Sequence, residues 1–168
     1  SKPKMKVFDP FSGCGTVGIM SRLYSCDYEL WDLNPIVKDL HTIATMKPKR
    51  ADLAAVRKEI VENTSEFKSD WKRMPNWFPD EFMPFIYRAW GYYHSLSDKD
   101  LKLLLTVPLL KTTRYFSFDD MQRQKLTKSK KSIQRVARLQ KENWKERFLN
   151  MLENETLKVQ KGIEEYNK

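Results

Sequence analysis

Two acids and three glycines near the start of the chain are the residues whose types and spacing can do chemistry. Asp9 follows the short apolar run Met5-Lys6-Val7-Phe8, Gly13, Gly15 and Gly18 come next in GxGxxG spacing, and Asp32 closes a second run, Tyr28-Glu29-Leu30-Trp31. A strand, a glycine turn, a helix and a second strand ending on an acid form the unit that holds a nucleoside cofactor. In that unit Gly13 makes the tight turn, Gly15 lets a ligand approach the backbone and Gly18 lets the helix pack on the strand. Asp32, about 20 residues beyond the loop, is placed to take the hydroxyls of a ribose. The blander alternative is a glycine-rich turn between two strands, with both acids solvated at strand ends.

The charge of the loop discriminates among such cofactors. A dinucleotide lays an anionic pyrophosphate over the helix N-terminus at the end of the first strand, where Asp9 repels it. S-adenosyl-L-methionine has no phosphate. Its ammonium and sulfonium suit an acid, and its carboxylate suits the N–H groups of the loop.

The string Asp9-Pro10-Phe11-Ser12-Gly13-Cys14-Gly15-Thr16, followed by Asp32-Leu33-Asn34-Pro35, resembles the cofactor-binding motifs of the restriction-modification type of DNA amino-methyltransferase, which acts on adenine N6 or cytosine N4. The resemblance implies an α/β fold with a Rossmann-like class I methyltransferase core, here partial, and S-adenosyl-L-methionine as cofactor. It also implies cofactor contacts from Asp9, Pro10, Phe11, Ser12, Gly13, Gly15 and Thr16, with Asp32 on the ribose. Phe116 through Lys131 is more loosely similar to a segment in some members of that family. Double-stranded DNA is the partner this implies.

Such an enzyme takes its target base out of the stack and holds the exocyclic nitrogen in line with the methyl group. The family does so with Asp, Asn or Ser followed by two prolines and an aromatic residue. Here the nearest strings are Met74-Pro75-Asn76-Trp77 and Val107-Pro108-Leu109-Leu110, and neither has the Pro-Pro step. No catalytic residue is assigned. The expectation is a cofactor-binding portion of a methyltransferase, a subunit completed by a second polypeptide, or a relative without catalysis. A non-catalytic nucleic-acid-binding or assembly module with a vestigial loop, and an RNA methyltransferase, are the alternatives. No CxxC or HExxH occurs, His41 and His94 have no supporting cluster, and no metal site is expected.

With 31 Lys and Arg against 22 Asp and Glu, a net charge of +9 favours a polyanionic partner. The bias is local. Arg123, Lys125, Lys128, Lys130 and Lys131 fall in a stretch free of acids with Thr127, Ser129 and Ser132 between them, the mixture that a phosphate backbone requires. A solvated loop and helix start is the alternative. Two cysteines, Cys14 and Cys26, make no disulfide framework, and no apolar run reaches bilayer length, so a cytoplasmic protein without a membrane partner is expected.

The positioning elements follow from periodicity. Ser1, Lys2, Pro3 and Lys4 lead almost directly into the first strand. A helix from Thr16, capped by that residue, carries Val17, Ile19, Met20 and Leu23, and Asn34-Pro35 starts another with Ile36, Val37, Leu40 and Ile43. Residues 1–46 form the cofactor portion, 47–118 a helical region and 119–168 a basic segment with a C-terminal amphipathic helix. Within them Ala51 to Phe67 reads as a helix, and Ser69 to Pro79 as a loop whose Trp71 and Trp77 anchor to the core rather than stack on bases. Asp80 caps a helix to Leu96, and Ser97 with Asp100 opens another that Pro108 kinks or ends. Thr112 to Phe118 is a short strand or an extended loop, and Ser132 to Tyr166 one or two helices.

Overall fold

The structure is a computed structural model that describes residues 5–167, so the expected lead-in through Ser1, Lys2, Pro3 and Lys4 lies outside the described residues. Strands β1 (Lys6–Asp9) and β2 (Asp27–Leu30) pair in parallel, with Lys6 opposite Asp27 and Asp9 opposite Leu30. Parallel strands need a crossover, and α1 (Thr16–Leu23) supplies it. The hydrogen bonds continue past the sheet, Trp31 N to the Asp9 carbonyl and Ser12 N to the Trp31 carbonyl, each at 2.9 Å. That extension carries the residues after β1 alongside those after β2. Helix α2 (Ile36–Thr45) follows a turn in which Asn34 Oδ1 accepts from Ile36 N at 3.2 Å.

The chain divides into two compact units, residues 5–48 with 160–167, and residues 49–159. The first is the α/β part. The second is helical and takes in both the 47–118 region, from Lys49 onward, and most of the basic C-terminal segment. It comprises α3 (Leu53–Glu62), a 3-10 turn (Met74–Trp77), α4 (Met83–Ser95), α5 (Lys99–Tyr115), α6 (Lys130–Leu139) and most of α7 (Trp144–Tyr166). Its core joins Phe82, Phe85 and Ile86 to Leu105 and Leu109, then to Phe116, Val136 and Phe148. The rings interlock edge to face or tilted, Phe85 on Phe148 at 5.5 Å and Phe116 on Phe148 at 5.1 Å. From Gln160 the last turns of α7 belong to the first unit, where the Arg22 guanidinium lies over the Tyr166 ring at 5.7 Å.

Several local expectations are corrected. Thr16 does not cap α1: Gly15 holds the cap position in the left-handed region, at φ 79°, without a side-chain bond. Phe82 precedes α4, and Asp80 contributes only its carbonyl, to Met83 N. Asp98, one residue beyond Ser97, caps α5 by accepting from Asp100 N and Leu101 N. Pro108 sits inside α5, which runs on to Tyr115. Leu104, Leu105, Leu109 and Thr112 are all buried around it, and burial at ~1.5–3 kcal/mol for each large apolar side chain outweighs a proline cost of ~3 kcal/mol. Thr112 to Tyr115 is therefore helix, neither strand nor extended loop. Helix α3 stops at Glu62, because Asn63 turns to an extended conformation and its side chain bonds the Ser65 and Arg88 carbonyls. Trp71 is exposed and stacks on Trp77 at 6.4 Å, so it is not a core anchor.

Candidate cofactor cleft and basic loop

In the first unit a cleft of about 630 Å³ opens where β1 and β2 end, lined by residues 10–12, 30–35, 37–38 and 41–42. Asp32 organises its rim. One carboxylate oxygen accepts from Gly13 N at 2.9 Å and the other from Asn34 N at 2.8 Å, which ties the glycine loop to the end of β2 across 19 residues of sequence. Those two N–H groups, Asn34 first and Gly13 second, hold the Asp32 carboxyl below its usual range. A carboxylate offers about four acceptor sites, so acceptor capacity remains for a ligand. At the end of β1, Asp9 Oδ1 accepts from Phe11 N at 3.0 Å.

The loop is built from within. Gly13 has φ 50° and Gly15 φ 79°, a region that costs other L residues about 1–2 kcal/mol. Gly15 N donates to the Ser12 carbonyl at 2.7 Å, Ser12 N to Trp31 and Gly13 N to Asp32. The loop N–H groups expected to receive a ligand carboxylate are thus largely engaged. Gly15 also differs from expectation in its neighbour, since a Cβ there would lie 3.0 Å from His41 Nδ1. Gly18 serves as expected: a Cβ would lie 2.6 Å from Leu30 Cδ1 of β2 and 2.9 Å from His41 Cε1. Thr16 Oγ1 faces Cys14 Sγ at 3.2 Å, and its hydroxyl and N–H lower the pKa of that exposed thiol. Of the residues expected to contact a cofactor, Pro10, Phe11, Ser12 and Asp32 line the cleft, and Asp9, Gly13, Gly15 and Thr16 do not.

Two unpartnered polar atoms belong to residues that line the cleft. Ser12 is 7% exposed and its Oγ is buried without a hydrogen-bond partner, and so is His41 Nδ1. Buried polar atoms are rarely left unpaired. His41 Nε2 pairs with Tyr28 Oη at 3.0 Å, so the ring is oriented by one nitrogen and presents the other. Histidine at this position reads from sequence as a satisfied residue of α2. The signal for a cleft role is its place one turn beyond Val37, which lines the same wall. Phe11, 86% exposed, Trp31 and Leu33 leave apolar surface in water beside the cleft.

The expected DNA-contacting residues lie together in the second unit. Arg123 and Lys125 are in the exposed loop between α5 and α6, Lys128 pairs with Asp119 in an antiparallel bridge, and Lys130 and Lys131 form the first turn of α6. The Lys128 ammonium stands over the rings of Phe118 at 5.2 Å and Trp77 at 5.6 Å. Ser129 and Ser132 cap α6 reciprocally. Neither string nearest to the base-binding tetrapeptide sits at a strand end, since Met74–Trp77 is a 3-10 turn and Pro108 lies within α5.

No helix among the described residues is long and apolar enough to cross a membrane. No protein-family model, curated protein or solved structure matches the chain.

Proposed function

We propose that the first unit is a partial Rossmann-like methyltransferase core that binds S-adenosyl-L-methionine, and that the chain is the cofactor-binding and DNA-contacting portion of an amino-methyltransferase acting on adenine N6 or cytosine N4. The observation that carries this reading is the Asp32 carboxylate, fixed by Gly13 N and Asn34 N at the rim of a cleft that opens beyond the end of β1, the strand that closes on Asp9. The residues fit the cofactor. The cleft lies within the roughly 300–1,000 Å³ of small-molecule sites, Asp32 keeps acceptor capacity for ribose hydroxyls, and Phe11, Trp31 and Leu33 offer apolar cover for an adenine ring. Ser12 Oγ and His41 Nδ1 supply unpaired polar atoms. Asp9, at the end of β1 and one residue before the cleft-lining Pro10, disfavours a pyrophosphate beside it. When bound, the cofactor supplies an electrophilic methyl group.

In this reading the basic loop and the start of α6 hold the DNA backbone. The first turn of α6 carries two lysines and no acid of its own, and the Asp120 carboxylate, bonded to the Ser129 side chain and attracted by Arg123 and Lys131, stands beside it. The sequence contains no Pro-Pro-aromatic tetrapeptide, so methyl transfer requires a base-binding element from other polypeptide.

Titration calorimetry with S-adenosylhomocysteine tests the assignment. The wild type is expected to bind, and Asp32→Ala to bind at least about tenfold more weakly, the loss of one or two charge-assisted hydrogen bonds, while its circular dichroism spectrum is retained. Binding of a nicotinamide dinucleotide in place of S-adenosylhomocysteine, or equal affinity in the variant, contradicts it.

A further inference from the structure

The loop between α5 and α6 is fastened at its neck by groups that grip main chain. Asp119, 1% exposed, accepts from Arg114 Nε at 2.6 Å through one carboxylate oxygen and from Thr127 N at 2.9 Å through the other, so both ends of the loop meet at one side chain. Arg114 also donates to the Asp120 and Arg123 carbonyls, and Arg135 to those of Tyr115, Ser117 and Asp119. Ser132 Oγ donates to the Phe118 carbonyl at 2.7 Å. Beyond this neck Gln122, Arg123, Gln124, Lys125 and Leu126 are all exposed. The side-chain amides of Gln122 and Gln124 have no hydrogen bond among the described residues.

Holding a phosphate backbone calls for charge, which the glutamines do not add. A glutamine amide presents a donor beside an acceptor, the pattern that meets adenine N6 and N7 in the major groove, and an apolar side chain meets the thymine methyl. Base edges must be met in fixed register, and a loop fastened before binding meets them without the entropy loss of ordering a free one. We infer that residues 122–126 are a sequence-reading tip for double-stranded DNA, with Gln122 and Gln124 on base edges, Leu126 against a thymine methyl, and the neighbouring cations on flanking phosphates. This rests on the proposed function for its partner and adds where sequence preference resides. The cofactor cleft plays no part in it.

The experiment is selection of the full 168-residue chain against a random-sequence duplex pool, followed by anisotropy titration of the enriched duplex and a scrambled one. The wild type is expected to enrich a motif with adenine or thymine positions. In Q122A/Q124A the ratio of enriched to scrambled affinity is expected to fall about tenfold or more, with an unchanged melting temperature, since both side chains are exposed. K125A/K128A is expected to weaken binding to both duplexes. A wild type that binds duplex DNA but enriches no motif, or a glutamine variant that keeps the wild-type ratio, overturns the reading tip while leaving DNA-backbone contact standing. A wild type that binds no duplex, or that prefers an RNA pool, overturns the DNA assignment itself. A drop in melting temperature in Q122A/Q124A contradicts the premise that these side chains lie outside the fastened neck.

Discussion

At the scale of single residues, the first unit depends on which groups are charged. Asp32 is held below the ordinary 3.8 by two main-chain N–H groups, so the loop tie it makes is present above that value and is lost as the pH falls through the folded one. His41 is also lowered, first by burial and then by the positive charge of Arg22, and for a base the consequence begins at higher pH. Its folded pKa lies below the unfolded value of about 6.5, so the unfolded chain takes up a proton first. Stability is therefore unaffected well above that pH and declines as the pH drops below it, until the folded value is passed. Thermal unfolding of the first unit, followed from about pH 7 to about pH 5, is expected to show this decline, and His41→Gln to flatten it. His94, in the second unit, is lowered by burial and by Lys102 and is the competing source. A decline that survives His41→Gln but disappears in a His94 variant would reassign it.

At the scale of elements, close approach rather than propensity sets the outcome at one glycine. Gly91 lies in the middle of α4, where alanine ordinarily gains roughly 0.5–1 kcal/mol. A Cβ there would lie 2.1 Å from the Ser65 carbonyl oxygen and 2.7 Å from its carbon, both main-chain atoms that cannot rotate aside. Gly91→Ala is expected to destabilise the second unit by about 1–3 kcal/mol net of the propensity gain, read as a lower midpoint in urea. An equal or higher midpoint would show that the main chain around Ser65 is not held against α4. The basic element makes a second prediction. If Lys128, Lys130 and Lys131 meet phosphates, their joint replacement by alanine should shallow the plot of log affinity against log salt by about 0.9 per lost contact. An unaltered slope removes them from the interface.

The same elements show what the sequence makes legible. The helices announce themselves through apolar recurrence at three and four residues, and the parallel pair through the glycine loop and Asp32. Helix ends depend on single local bonds, which is why Asp98 displaces Ser97 as a cap and Asn63 ends α3 early. Tyr115, Phe116 and Phe118 alternate like a strand, yet Phe116 is buried in the core directly after α5 and Phe118 N is taken by the Trp77 carbonyl. Of the cleft lining, the Pro10 to Ser12 segment and Asp32 were legible beside the glycine loop, whose own glycines and Asp9 lie outside that lining. The place of His41 in that lining was not, because it arises from α2 lying against the glycine loop, a contact with Gly15 far away in sequence that periodicity does not report.

At the scale of the whole molecule, the two units differ in how they are held. Among the described residues, the buried apolar side chains of the first unit are Val37, Ile43 and Ile163, whereas the second buries large clusters from α3 through α7. The first unit also leaves Met5, Phe8, Phe11, Leu23, Tyr24, Trp31 and Leu33 exposed. Parallel sheets are ordinarily covered on both faces, and a unit with so little buried apolar area has a small driving force for folding. A ligand that engages Asp32 and the surfaces of Phe11 and Trp31 adds binding free energy to the folded form alone, about 2.7 kcal/mol at a concentration one hundred times its dissociation constant. Hydrogen exchange is expected to be faster in β1, β2 and α1 than in α4 and α5, and saturating S-adenosylhomocysteine is expected to slow the first group by roughly two orders of magnitude while leaving the second unchanged. Equal protection of both groups without ligand would mean that the first unit draws stability from a source other than its own core, and ligand protection spread evenly over both would mean that the two unfold as one.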